Sequence, residues 1–145
     1  MIRIAMLGSG FIGRFYADSI QGQRSKDKII SIYARKEQNA KKFADDYGCE
    51  HYTSNMEEAV AHPDVDVVCI ALPNNVHEEA VMLCCKHKKA VVMTKPLGRN
   101  GAEALRMLKA VEEAGTRGHH VRLVASLCAC HPKLFLECME TGVFR

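Results

Sequence analysis

Apolar residues in this chain alternate between short runs and longer stripes at helical spacing. The opening run of Ile2, Ile4, Met6 and Leu7 predicts a strand, and residues 11–20 predict the helix that follows. Residues 28–34 are β-like through Ile29, Ile30 and Ile32. Next, Ala40, Phe43, Ala44 and Tyr47 recur at i, i+3, i+4 and i+7, which is one helical stripe, and Gly48 suits the residue that closes it. A short extended piece is expected over 49–52. Ser54-Asn55-Met56-Glu57 reads as a capping box that opens a brief helix through Ala61. Residues 65–71 are nearly continuous apolar, as in a central parallel strand covered on both faces. Beyond them the pattern predicts a loop at 72–75, a helix at 76–88, a strand at 90–94 and a loop at 96–101. A helix at 101–114, a strand at 121–126 and a helix at 132–141 complete the series.

Strands alternating with helices in this way predict an α/β fold: a doubly wound, mostly parallel sheet with helices on both faces and right-handed crossovers. There is no internal repeat, and residues 115–120 form the only loose stretch. At 145 residues one domain is expected, able to bury roughly two-thirds of its unfolded surface. A net charge of +3 with no basic run argues against nucleic acid or a membrane surface as partner. No apolar stretch approaches the ~18 residues of a membrane helix. The first apolar run is too short for a signal peptide, so the cytoplasm is the expected location. Of the seven cysteines, none lies in C-x-x-C, and Cys69, Cys84 and Cys85 fall in apolar segments as small core hydrophobes. Cys128-Ala129-Cys130-His131 has metal-like residue types. Its i, i+2 spacing is not that of a zinc knuckle and a fourth ligand is missing, so no metal is expected.

The first strand empties into Gly8-Ser9-Gly10-Phe11-Ile12-Gly13, a G-x-G-x-x-G. Gly8 permits the tight turn, Gly10 leaves room for a pyrophosphate, and Gly13 lets the helix lie close to the strand. The helix N-terminus then faces the phosphates with its partial positive charge. The expected architecture is therefore a Rossmann-like dinucleotide-binding domain; the bland alternative is a purely structural turn. About 20 residues on, NAD-binding versions of this arrangement place a carboxylate for the adenosine ribose. Here the chain reads Tyr33-Ala34-Arg35-Lys36. Arg35 offers a planar fork for a 2′-phosphate with Lys36 as a second charge, which favours NADP and leaves NAD possible. The other reading is a solvated Arg-Lys pair at a helix start.

Ligands of open α/β sheets bind beyond the carboxyl ends of the strands. Two such ends carry Leu72-Pro73-Asn74-Asn75-Val76-His77 and Thr94-Lys95-Pro96-Leu97-Gly98. Together with the glycine turn, Phe43-Ala44-Asp45-Asp46-Tyr47-Gly48, Met56-Glu57-Glu58-Ala59-Val60 and Asp64-Val65-Asp66-Val67-Val68, they make the chain resemble the Gfo/Idh/MocA oxidoreductases. The resemblance implies that residues 8–13 cradle the pyrophosphate, that Leu72, Pro73 and Asn74 line the nicotinamide end, and that His77 opens a helix near the cofactor ribose. It also implies that Lys95, followed by Pro96, stands between nicotinamide and substrate and assists proton movement, a role a lysine with a lowered pKa can fill. The plainer alternatives are a His77 that merely begins a helix and a Lys95 that is a surface lysine before a turn proline.

Three departures from the family pattern stand out. Thr94 replaces the usual glutamate, and residues 115–130 match poorly, with Cys128-Ala129-Cys130 where arginines are often found. The third, and most serious, is that family members carry a second domain that holds the substrate and the main acid/base residues, which is expected to be absent from this chain. Residues 1–126 are expected to form the coenzyme domain and 127–145 the start of the connection to that second domain. The resemblance implies hydride transfer between NADP(H) and a sugar, polyol or related alcohol, with little or no activity from this short chain. The alternatives are a non-catalytic nucleotide-binding or interaction module (a redox sensor, a partner subunit, a homo-oligomer) and a truncated gene product.

Overall fold

The structure, a computed structural model, describes residues 1–22, 26–116 and 123–126. Six strands form one sheet: β1 (Arg3–Leu7), β2 (Lys28–Tyr33), β3 (His51–Thr53), β4 (Val67–Ile70), β5 (Ala90–Thr94) and β6 (Leu123–Ser126). Every pairing is parallel and the order is β3-β2-β1-β4-β5-β6. Among the described residues five α-helices connect them: α1 (Phe11–Gly22), α2 (Glu37–Tyr47), α3 (Met56–Ala61), α4 (His77–Lys86) and α5 (Gly101–Thr116). The predicted doubly wound architecture is therefore present. The predicted helix at 132–141 and the Cys128–His131 cluster lie outside the described residues.

The period of two along each strand sorts the core into two layers. Ile4, Met6, Val67, Cys69, Ala90 and Val92 face α1 and α2, where Tyr16, Ala17, Ile20, Ala40, Phe43 and Ala44 meet them. Their neighbours Ala5, Leu7, Val68, Ile70, Val91 and Met93 face α3, α4 and α5. Each fully buried aliphatic contributes about 1.5–3 kcal/mol. In β2 the alternation breaks: the β1–β2 register shifts between Ile4 and Ala5, so Ile29 and Ile32 share one layer and Ile30 joins the other.

Local details differ from the pattern reading at several ends. The brief helix α3 is capped by Asn55, not Ser54: the Asn55 carboxamide oxygen accepts from the Glu57 and Glu58 amides at 3.0 and 3.3 Å. Glu57 instead pairs with Lys86 and His87 of the next helical unit, so the capping box is not made. Helix α4 starts one residue later than predicted, because Asn74–Val76 forms a 3-10 turn, and α5 runs two residues beyond Ala114. Gly48 does close α2, with φ 69° and its amide bonded to the Ala44 carbonyl. At the amino edge of the sheet Arg3 is clasped by Asp64 and Asp66 at 2.6 and 3.2 Å.

Candidate cofactor site

The chain leaves β1, travels outward through β2 and β3, then returns to β4 on the other side of β1. This reversal opens a crevice at the carboxyl ends of β1 and β4, the place where open α/β sheets receive ligands. A cavity of about 570 Å³ occupies it, lined by Gly8, Ser9, Gly10, Phe11, Ile12, Ala34, Arg35, Lys36, Asn39, Ala71, Leu72 and Pro73.

Each glycine of the turn has its own reason. Gly8 sits at φ +113°, and a Cβ there would stand 2.4 Å from the Ala71 carbonyl oxygen. Its amide donates to the Tyr33 carbonyl at 2.9 Å, while Ala71 donates to Leu7 at 2.8 Å, so the turn is tied to both flanking strands. At Gly13 a Cβ would lie 2.0 Å from the Gly8 carbonyl oxygen: the helix leans directly on the turn. A Cβ at Gly10 would meet nothing within 4 Å. Gly10 therefore keeps open the face of the cavity beneath the start of α1, where backbone amides and the helix dipole favour an anion. Arg14, one turn on, bonds Asp46 at 2.8 Å and lies over Phe43 and Tyr47, fixing α1 to α2 and hence the direction of that N-terminus.

At the opposite wall, Arg35, Lys36 and Asn39 enter from the end of β2 and the first turn of α2. Arg35 and Lys36 are exposed and no carboxylate lines the cavity. The wall thus offers a guanidinium, an ammonium and a carboxamide to an incoming phosphate. Ala34, Asn39 and Ala71 escaped the sequence reading. Asn39 lies in the first turn of α2 while Arg35 precedes the Lys36 N-cap, so no helical spacing in the sequence pairs them.

Gly13, Asn74, His77, Lys95 and Pro96 were also singled out, and none of them lines this cavity. His77 is 1 % exposed and sits between two loops. Its Nε2 is 2.8 Å from the Leu72 carbonyl oxygen and its Nδ1 3.0 Å from that of Pro96. Lys95 and Pro96 are exposed on the loop after β5. That loop is anchored to α5, where Glu103, buried on the inner face, accepts from the Arg99 amide at 2.9 Å and pairs with its guanidinium. The Arg99 hydrogen bonds hold the Glu103 carboxyl below the usual carboxylate range.

Two other groupings have chemical residue types. Ser31 Oγ lies 3.1 Å from His51 Nδ1, and His51 Nε2 lies 3.2 Å from Glu58, the order of a nucleophile relay. Ser31 is wholly buried and no substrate reaches it, so the row is a structural link between β2, β3 and α3. Among the described residues no group of three His, Cys, Asp or Glu side chains could hold a metal ion. Burial pushes the Cys49 and Cys69 thiols up to about 12, away from reactive thiolate. No described helix is long and apolar enough to cross a membrane.

A family model for Gfo/Idh/MocA, described as an oxidoreductase family with an NAD-binding Rossmann fold, matches residues 2–123. The chain belongs to this family. Within it, the chain is 32 % identical over 114 residues to a 4-carboxy-2-hydroxymuconate-6-semialdehyde dehydrogenase of Sphingobium, covering 79 % of this chain and 36 % of that protein. It is 30 % identical over 115 residues to the scyllo-inositol 2-dehydrogenase (NADP+) IolU of Bacillus subtilis, with 79 % and 35 % covered. The solved structure of an NAD binding oxidoreductase from Klebsiella pneumoniae superposes with a TM-score of 0.76 at 27 % identity, covering 86 % of this chain and 34 % of that one. The chain thus spans about a third of the length of these Gfo/Idh/MocA relatives. The matched residues, which include the glycine turn, are that family's NAD-binding Rossmann fold.

Proposed function

We propose that this chain binds NADP in the switch-point cavity, with NAD as the weaker alternative. It thereby forms the coenzyme half of an oxidoreductase that moves hydride to or from a sugar, polyol or related alcohol. The observation that carries this is the cavity wall: an open Gly10 face at a helix N-terminus on one side, and Arg35 with Lys36 and no carboxylate on the other. One relative's name, an inositol dehydrogenase using NADP+, agrees with both coenzyme and substrate class.

In this reading residues 8–13 donate backbone amides to the diphosphate, and Arg35 forks onto the 2′-phosphate with Lys36 beside it. Leu72, Pro73 and Asn74 shape the nicotinamide end. Bound nicotinamide would supply hydride acceptance or donation. Lys95, exposed on the neighbouring loop, receives or returns the proton of the substrate hydroxyl, while His77 and Pro96 fix that loop. Turnover needs a surface that holds the reacting C–H against the coenzyme, and we assign that surface to the length of the relatives beyond this match. These 145 residues are accordingly expected to bind coenzyme and to turn over little.

Titration with NADPH and NADH, followed by nicotinamide fluorescence, tests the reading. Saturable binding with NADPH tighter is expected. No affinity for either coenzyme would overturn it. A defined oligomer or partner by light scattering would favour a non-catalytic module instead, since little turnover on a polyol panel is expected in both readings.

A further inference from the structure

The loop carrying Leu72 and Pro73 and the loop carrying Lys95 follow different strands, β4 and β5, and lead into different helices, α4 and α5. The Lys95 loop is held at its far end by Glu103 of α5 and by Gly98, where a Cβ would come within 2.9 Å of the Ala104 amide nitrogen. At its near end the His77 ring anchors it, reaching Pro96 on one side and Leu72 on the other. Both partners are carbonyl oxygens, which only accept. The ring therefore fills the gap between the two loops and donates into it. The carboxylates on the adjoining helices are engaged elsewhere, Glu78 with Arg106 and Glu103 with Arg99. Glu79 is exposed, residues 72–75 carry no ionisable group, and Lys95 and Arg99 are the cations of the opposite loop.

We propose that His77 is a positioning residue: its buried ring, wedged between the Leu72 and Pro96 carbonyls, fixes the spacing of the two loops and so holds Lys95 beside the nicotinamide end of the coenzyme site. The inference rests on the coenzyme reading above and assigns His77 no contact with the coenzyme itself. It separates two regions of one site. The adenosine end, built by Arg35, Lys36 and Asn39, does not depend on the brace, whereas the nicotinamide end does.

One comparison tests it on the full chain: NADPH against 2′,5′-ADP, which lacks the nicotinamide half, on the wild type, His77→Leu and His77→Gln. His77→Leu should bind NADPH about tenfold more weakly, the scale of one hydrogen bond. Its affinity for 2′,5′-ADP should stay within about twofold, and His77→Gln, which keeps one donor group, should fall between. Equal loss of both ligands, or loss of neither, would overturn the positioning role. Should His77→Leu fail to fold, His77→Gln decides in the same way: a greater loss for NADPH than for 2′,5′-ADP supports the role and an equal loss overturns it. A wild-type chain that binds neither ligand would overturn the coenzyme reading and the positioning role with it.

Discussion

Gly10 and Gly13 are three residues apart in one turn, and substitution by alanine should affect them in opposite ways. In a helix interior, Gly→Ala ordinarily gains about 1 kcal/mol. At Gly13, third residue of α1, the new Cβ would stand 2.0 Å from the Gly8 carbonyl oxygen and 3.0 Å from its carbonyl carbon. Reaching the 3.4 Å of ordinary contact requires α1 to lift by about 1.4 Å. The turn cannot retreat, since Gly8 is bonded to Tyr33 and pressed against Ala71. Overpacking against fixed backbone costs about 3 kcal/mol, the upper end of its range, which leaves a net loss of about 2 kcal/mol. For a chain of this size that lowers the melting temperature by roughly 5–8 °C. Gly10→Ala meets nothing within 4 Å and Gly10 does not have positive φ, so stability should hold or rise by about 0.4–1 kcal/mol. Under the proposed coenzyme reading the same methyl meets the diphosphate and should weaken NADPH binding by about 10- to 100-fold. Thermal melts and fluorescence titrations of the two variants provide the check. A Gly13→Ala protein that melts at or above the parent, or a Gly10→Ala protein that binds NADPH like the parent, would refute the reasoning.

Arg35→Ala should cost roughly 10- to 100-fold in NADPH affinity and leave NADH within about twofold, as measured by parallel titrations. Glu57, Glu58, Glu78 and Glu103 are held below the usual carboxylate range by hydrogen bonds, from Lys86, Thr53, Arg106 and Arg99 respectively. A depressed folded-state pKa gives stability that is complete above the unfolded value near 4.5 and is lost as pH falls through the folded one. Urea midpoints should therefore drop on acidification below that value, and Glu103→Gln should flatten the drop. Cys49, Cys69 and Cys84, all raised by burial, should resist alkylation in the folded state at mildly alkaline pH and react on unfolding. Peptide mass spectrometry reads this directly.

Periodicity revealed the architecture because each layer repeats its own signal: the Phe43 stripe on α2 and the alternation of Ile4 with Ala5 on β1 both specify a face without long-range knowledge. The glycine turn was readable for a similar reason, since its three requirements fall within six consecutive residues. What escaped depends on contacts between distant segments. Glu57 looked like a capping residue until Lys86 and His87, 29 and 30 positions away, proved to be its partners. The β2 bulge needs its register with β1 to be seen. The sequence alone associates His77 with the cavity through Leu72 and Pro73, which line it, and cannot show what holds the ring. The carbonyls that hold its ring come from two loops, one of them 19 residues downstream.

Because all the strands run in one direction, their leading and trailing ends have separate duties. The Arg3 clasp with Asp64 and Asp66 occupies the edge remote from Gly10 and Arg35. Met1, 71 % exposed, emerges beside that clasp. An affinity tag or fluorescent fusion joined ahead of Met1 would leave the chain on the far side of the molecule, so immobilising the protein through such a handle keeps its coenzyme mouth turned toward the solution.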